Sequence, residues 1–245
     1  MTKFGLKPYD PHEVSQLNEL KINTSALNII AGWVANGDLI MVEQMPIFGG
    51  YSGGKEETAI CDVASTLASF AMFNCDIHLD GPIHIRWGTT TTRETLQIAA
   101  HAGAALDKNT DLLLANQYYT MAGPCTEMCL LEVAAQSISD TASGRELVSG
   151  VASSKGVTQD RTTGMEARMM GEVAKSAAGM DIGEVNEVLK KLVGLYERDF
   201  PHAPAGKRFQ DCYDVSTVLP SDDYIKIYDR ALRTLGRCGL EVSKY

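Results

Sequence analysis

The sequence predicts an α/β fold organised around a parallel sheet, and three observations support that class. Two continuous apolar runs, residues 39–42 and 112–114, each end in polar residues, which is typical of strands buried on both faces. Strand and helix patterns alternate about five times between residues 14 and 178, with short connections. From residue 182 onward the apolar positions recur at helical spacing. We therefore expect about five strand–helix units followed by C-terminal helices.

Each predicted strand is a short apolar stretch bounded by polar, Gly or Pro residues. The predicted strands span residues 14–20, 39–45, 77–87, 112–117 and 146–152. Gly81 and Pro82 break the third strand region, so an irregularity is expected there.

The predicted helices are marked by apolar residues at intervals of three and four, and by capping residues at their starts. Asn23 or Thr24 would cap the first helix, and Thr92 opens the third. The predicted helices span residues 25–34, 56–73, 92–106, 126–138, 165–178, 182–196 and 222–235.

Length and charge narrow the class of protein. The 245 residues suit one large α/β domain or part of a larger one. The net charge of -9 repels phosphate backbones and anionic lipids, so neither nucleic acid nor a membrane is an expected partner. No apolar run approaches the ~20 residues of a membrane span, and residues 1–11 lack the apolar core of a secretory signal. A cytoplasmic location is therefore expected.

Two strand ends carry candidate site residues. Glu43 follows the first apolar run, and Gln117 lies shortly after the second. Polar groups at the carboxyl ends of parallel strands are where α/β barrels and open α/β sheets hold their chemistry. The alternative is that both side chains cap strand ends by bonding to nearby backbone.

Two other motifs are better explained by structural roles. The Gly-rich stretch at residues 49–55 has the spacing of a phosphate-binding loop, but Glu56 stands where Ser or Thr would hold magnesium. The trio His78, Asp80 and His84 is interrupted by Pro82, so hydrogen-bonded core is favoured over a metal site. No metal and no directly bound cofactor are expected.

The cysteines also suggest packing rather than chemistry. Six are scattered through a chain of this size, where disulfides are not needed, and a cytosolic setting keeps them reduced. Cys125 and Cys129 would share one face of a helix, but no second pair or nearby His completes a zinc site. We expect buried thiols.

Several long segments resemble one family. The segments are residues 12–21, 43–51, 84–88, 122–132 and 162–172. Their sequences resemble those of the monomethylamine methyltransferases of methanogenic archaea. The resemblance runs from His12 to near the C-terminus, and residues 1–11 match poorly.

The resemblance implies a (β/α)8 TIM barrel, of which this chain supplies only about five strand–helix units. The family protein is roughly twice as long, so we expect the C-terminal portion, lacking the half that bears pyrrolysine. Pyrrolysine is encoded by an in-frame amber codon, which is expected upstream. In this interpretation residues 1–245 form a single partial barrel domain, with a divergent segment at 1–11 and a helical extension at 182–245.

The resemblance also implies methyl transfer from monomethylamine to the cobalt of a cognate corrinoid protein, which carries the cobalamin. The family's site residues match Glu13, Glu43, Gln117 and Tyr119. Glu43 would act as general acid or base at the pyrrolysine imine. Glu13 and Gln117 would hold the ammonium, and Tyr119 would close the pocket.

Two alternatives stay open. A partial barrel exposes strand edges and apolar faces, so the chain could be a non-catalytic fragment that acts as an interaction or scaffold module. The same exposure favours a homo-oligomer. A barrel enzyme of unrelated metabolism is the third interpretation.

Overall fold

The computed structural model describes residue 7, residues 9–16 and residues 23–243. The strands are β1 (His12–Ser15), β2 (Ile40–Glu43), β3 (Ile47–Phe48), β4 (Ile77–Asp80), β5 (Ile83–His84), β6 (Leu113–Tyr119), β7 (Leu147–Ala152), β8 (Tyr213–Asp214) and β9 (Leu219–Pro220). The helices are α1 (Thr24–Asn36), α2 (Lys55–Phe73), α3 (Arg93–Asn109), α4 (Glu127–Ala142), α5 (Gly164–Ala177), α6 (Ile182–Tyr196), α7 (Phe209–Cys212) and α8 (Asp222–Cys238).

Five parallel strands form one curled sheet in the order β1-β2-β4-β6-β7. The five strands of this sheet occur in the same order in the chain and in the sheet, and one of the helices α1 to α4 lies between each strand and the next. This is the winding of a (β/α) barrel that stops part-way round, so the predicted partial TIM barrel is confirmed. The short parallel pair β3–β5 extends two of the strands, and β8–β9 is an antiparallel hairpin.

Local signals placed most helices well. Asn23 caps α1 by accepting hydrogen bonds from the backbone of Ser25 and Ala26, which decides between the two candidate caps. Thr92 caps α3 through the backbone of Thr95. The predicted helices are confirmed, with ends that shift by a few residues.

Two strand predictions need correction. The predicted strand at 14–20 begins earlier, since β1 is His12–Ser15, and residues 17–20 of that prediction lie outside the described part of the chain. The predicted region 77–87 is two strands, β4 and β5. Gly81 lies between them with a φ of 152°, a conformation open mainly to glycine, and turns the chain away from the main sheet.

The sheet has two distinct faces. The outer face packs on the helices, and Ile40 and Val42 lie there with Ile30 of α1 and Phe73 of α2. The opposite face, called the inner face below, would line the interior of a closed barrel. It includes Glu13, Ser15, Met41, Glu43, Ile77, Leu79, Ala115, Gln117 and Tyr119, as the strand registers and the period of two require.

The largest core cluster lies beside β6 and β7, the last two strands of the sheet. It joins α4, α5, α6 and α8 around fully buried side chains, among them Leu130, Met169, Leu192 and Leu235. The C-terminal helices therefore complete the hydrophobic core that begins on β6 and β7. Within the described residues, no helix combines the length and the apolar character needed to cross a bilayer.

Candidate active site

The inner face brings all four predicted site residues together. Ser15 of β1 pairs with Glu43 of β2, and Glu13 lies two residues earlier on the same side. Glu43 pairs in turn with Leu79, and Leu79 with Ala115. Since alternate residues of a strand share a face, Gln117 and Tyr119 follow Ala115 along the inner side of β6.

Glu43 is held in place by the neighbouring strand. It is the last residue of β2 and is half-buried. The Ser15 hydroxyl donates a hydrogen bond of 2.7 Å to its Oε2 atom. The backbone N–H of Gln16 donates to its carbonyl oxygen at 2.7 Å. Side chain and main chain of Glu43 are thus both fixed by β1.

Glu13 and Glu43 form a close carboxyl pair. Glu13 is exposed as a residue at the edge of the sheet, yet its carboxyl group is partly buried. This partial burial raises the pKa of Glu13, and the negative charge of Glu43 and a hydrogen bond with it raise the pKa further. Glu13 therefore retains its proton more readily beside Glu43 than it would alone.

Tyr119 lies within electrostatic reach of both carboxylates. Burial raises the pKa of the Tyr119 phenol, and the charges of Glu43 and, more weakly, Glu13 raise it too. A hydrogen bond with the Gln117 side chain acts in the opposite direction. The phenol therefore stays protonated at neutral pH and is a hydrogen-bond donor.

Buried groups on the outer side fix the backbone that carries Gln117 and Tyr119. The Gln136 amide of α4 donates to the Gln117 carbonyl at 2.8 Å. It accepts from the Thr90 hydroxyl at 2.6 Å, and that hydroxyl accepts from the Tyr119 N–H at 3.0 Å. Both Gln136 and Thr90 are buried. This end of β6 is therefore tied to α4 as well as to its neighbouring strands.

A left-handed turn closes over Tyr119 after β7. Ser154, Lys155 and Gly156 have consecutive positive φ angles of 54°, 61° and 66°. The Lys155 N–H donates to the Thr120 carbonyl at 2.8 Å, which anchors the turn to the end of β6. A Cβ atom on Gly156 would lie 3.0 Å from the Tyr119 ring. A side chain at position 156 would therefore press on the phenol.

Comparison with known proteins assigns the family. A family model described as Monomethylamine methyltransferase MtmB matches residues 1–240. The chain belongs to the monomethylamine methyltransferase family. Monomethylamine methyltransferase MtmB2 of Methanosarcina acetivorans is 62% identical over 236 residues, which are 96% of this chain and 52% of that protein. Monomethylamine methyltransferase MtmB1 of Methanosarcina barkeri is 61% identical over 236 residues, again 96% of this chain and 52% of that protein.

The solved structures agree with that assignment. The crystal structure of the Methanosarcina barkeri monomethylamine methyltransferase superposes with a TM-score of 0.93 at 62% identity, covering 94% of this chain and 50% of that one. A crystal structure of the hydroxylamine MtmB complex gives the same values. The chain thus spans about half the length of the relatives it matches.

Two residues on the inner face were not predicted from the sequence. Ser15 contacts Glu43, and Ser149 of β7 lies with its Oγ 3.3 Å from the Oε1 atom of Gln117. Ser15 could have been predicted, because it is two residues after Glu13 and alternate residues of a strand share a face. Ser149 could not have been predicted in this way, because its position depends on the register of β7 against β6, which only the assembled sheet supplies.

The trio His78, Asp80 and His84 does not converge. His78 and Asp80 are buried on the outer face, where Asp80 accepts from Arg145 at 2.6 Å. Burial, and then the positive charge of Arg145, lowers the pKa of His78 to about 3. His84 lies apart on β5, edge-on to the Phe48 ring. Within residues 7, 9–16 and 23–243, no group of three or more potential ligands is arranged to hold a metal.

The cysteine prediction was partly wrong. Cys125 and Cys129 are both buried, but Cys125 precedes α4 with a φ of 61°, so the two do not share a helix face. All six cysteines are free. Five are buried, and Cys61 is half-buried.

The Gly-rich turn at residues 49–55 is held by hydrogen bonds within itself and to a neighbouring helix. The Gly49 N–H donates to the Gly53 carbonyl at 2.9 Å, and the Gly53 N–H donates to the Gly50 carbonyl at 3.1 Å. The Lys55 ammonium donates to Gln97 of α3 at 3.0 Å. These contacts give the turn a structural role between β3 and α2.

Proposed function

We propose that this chain supplies the amine-binding side of an active site that transfers a methyl group from monomethylamine to the cobalt of a cognate corrinoid protein. The observation that carries the proposal is the convergence of two carboxyl groups, one amide and one phenol on the inner face. An alkylamine is cationic at neutral pH, as the lysine side chain is. Carboxylates and an amide oxygen are suitable acceptors for its N–H groups.

The charge balance of the site supports a cationic ligand. In the described part of the chain, no ion pair joins Glu13 or Glu43 to a basic side chain. Their mutual repulsion is a reason for the raised pKa of Glu13. A bound ammonium would relieve this repulsion and allow Glu13 to ionise beside Glu43. Methylammonium thus supplies the positive charge that the pair lacks.

The positions suggest a division of roles. Glu43 is the most firmly held acid at the carboxyl end of a strand, so it is placed to exchange a proton as the amine reacts. Glu13 and Gln117 lie on either side of it along the inner face and would hold the ammonium. Tyr119 remains protonated and would close the pocket as a donor.

The electrophile and the methyl acceptor come from outside these 245 residues. None of the 20 standard side chains is an imine, and a lysine forms a Schiff base only with a carbonyl, which methylamine lacks. The family resemblance assigns the imine to pyrrolysine, and this chain to the C-terminal portion of the enzyme. The corrinoid, bound to its own protein, would supply the cobalt that accepts the methyl group.

Binding of methylammonium chloride to the 245-residue chain tests the proposal. Chemical shift changes in NMR should saturate for the wild type, and the affinity should fall at least about tenfold in Glu43→Gln, since hydrogen bonds to charged groups contribute about 1.5–3 kcal/mol. Glu187→Gln, which removes an exposed glutamate of α6, is the matched control. Methanol, neutral and similar in size, should not bind. Absence of saturation, or an equal loss in both variants, would reject the proposal.

A second function is favoured by the open edges of the sheet. Among the described residues, β1 and β7 each pair with a strand on one side only. Leu113 and Leu147 of the inner face are 44% and 40% exposed. Such edges and apolar side chains favour association with a complementary chain or a second copy. Sedimentation velocity over a range of concentrations distinguishes a monomer from a self-associating module.

A further inference from the structure

A β-bulge places Ser149 beside Gln117. Residues 116 and 118 of β6 pair with residues 148 and 151 of β7, so two residues of β7 oppose one residue of β6. The two are Ser149 and Gly150, and the one is Gln117. The bulge allows Val151 to face the core with Tyr118, while Ser149 faces the amide of Gln117.

The Ser149 hydroxyl has one proton and two neighbouring oxygen atoms. The Asn116 carbonyl oxygen lies 2.6 Å from Ser149 Oγ, and the Gln117 Oε1 atom lies 3.3 Å from it. A single proton serves the nearer acceptor, so the hydroxyl turns a lone pair toward Gln117. A half-turn about the last side-chain bond exchanges the nitrogen and oxygen of a glutamine amide. Of the two ends of the Gln117 amide, the NH₂ group is the one that can donate to the lone pair of the Ser149 hydroxyl.

We infer that Ser149 is a positioning residue that orients the Gln117 amide, so that its NH₂ group faces β7 and its oxygen faces the ligand. The inference rests on the proposed function for the identity of the ligand, a primary ammonium ion. In this orientation the amide oxygen joins the carboxyl groups of Glu13 and Glu43 as a third acceptor. A methylammonium ion has three N–H donors to place.

The orientation can be tested by NMR on the 245-residue chain, without any activity. The side-chain NH₂ signals of Gln117 are identified by their loss in Gln117→Glu. They should show nuclear Overhauser contacts to the Hβ protons of Ser149. Ser149→Thr, which keeps a hydroxyl, should retain a contact to the β proton of residue 149. Contacts from the NH₂ group to the Tyr119 ring alone would overturn the inference.

A double-mutant cycle tests the consequence for binding. Ser149→Ala should weaken methylammonium binding about threefold to tenfold, the effect of one neutral hydrogen bond. In Gln117→Glu the same change should alter affinity less than twofold, because a carboxylate presents an acceptor at either end. Equal losses in both backgrounds would show a purely structural role and overturn the inference. If the wild type binds no methylammonium, the proposed function fails, whereas the NMR contacts still decide the orientation.

Discussion

The Ser15 hydroxyl donates a hydrogen bond of 2.7 Å to Glu43 across the pair of strands β1 and β2. The two residues are 28 positions apart in the chain and occupy paired positions in the sheet. A carboxylate at the end of a strand is thereby held by a rigid neighbour rather than by a loop. Residues fixed in this way suit proton transfer, which depends on distance more than on side-chain flexibility.

Replacing Glu43 should lower turnover much more than stability. In an enzyme that combines this chain with the rest of its family's length, Glu43→Gln removes the titratable proton but keeps the size of the side chain. Turnover should fall by roughly 10²–10⁴, as for a general acid or base, and the melting temperature should change little. If Glu43 only caps the end of the strand, the variant would instead lose about 1 kcal/mol of stability and keep the turnover of the unmodified enzyme. Measuring rate and melting on this variant and on Glu187→Gln decides between the two.

The proton of Glu13 should depend on Glu43. Burial and the charge of Glu43 raise the pKa of Glu13 above its ordinary value of 4.5. The stability that this carboxyl group contributes to the folded state is therefore fully present below pH 4.5, and it is lost as the pH rises through the raised pKa of the folded protein. In Glu43→Gln the midpoint of Glu13, followed by carbon NMR of its carboxyl group, should move down. An unchanged midpoint would show that the two groups do not interact.

Methylammonium affinity should increase with pH over the titration of Glu13. Ionised Glu13 attracts the cation, and protonated Glu13 does not, so the bound fraction should rise as the proton leaves. Binding measured at a series of pH values should give a curve whose midpoint follows that of Glu13. A flat profile would remove Glu13 from the binding site.

Gly123 should tolerate no side chain. A Cβ atom there would overlap the backbone carbonyl of Ala205, where the loop after β6 crosses the segment before α7. Gly123→Ala should therefore destabilise the fold by about 1–3 kcal/mol in chemical denaturation. Gly194→Ala in α6 is the control, since beyond its chain neighbours and the backbone of its own helix no atom lies within 4 Å of its Cβ position. It should be neutral or stabilising by up to ~1 kcal/mol. Equal effects would refute the proposed contact.

The 245-residue chain alone should bind the amine but not transfer its methyl group. Its side chains supply acceptors and a proton, and none supplies the imine to which the amine would add. Mixing the purified chain with methylamine and a reduced corrinoid protein should leave the cobalt absorbance unchanged. Methylation of the cobalt under these conditions would contradict the proposal that the electrophile comes from outside these 245 residues.

The sequence alone determined the fold class and most helices, because their signals are local. Capping residues such as Asn23 and Thr92 bond within their own first turn, and apolar periodicity appears within any window of a dozen residues. The two apolar runs located β2 and β6, and the polar residues near their ends identified Glu43 and Gln117 as candidates. Family resemblance then added Glu13 and Tyr119.

Only the tertiary structure decided which side chains meet. A strand buried on both faces has no alternation of polar and apolar residues, so its sequence cannot tell the inner side from the outer. Pairing between strands settled this for Glu43 and Tyr119, and placed His78 and Asp80 on the outer face. The bulge that turns Ser149 toward Gln117 arises from the fit of β7 to β6. Contacts between distant strands determine this register, and no short segment encodes it.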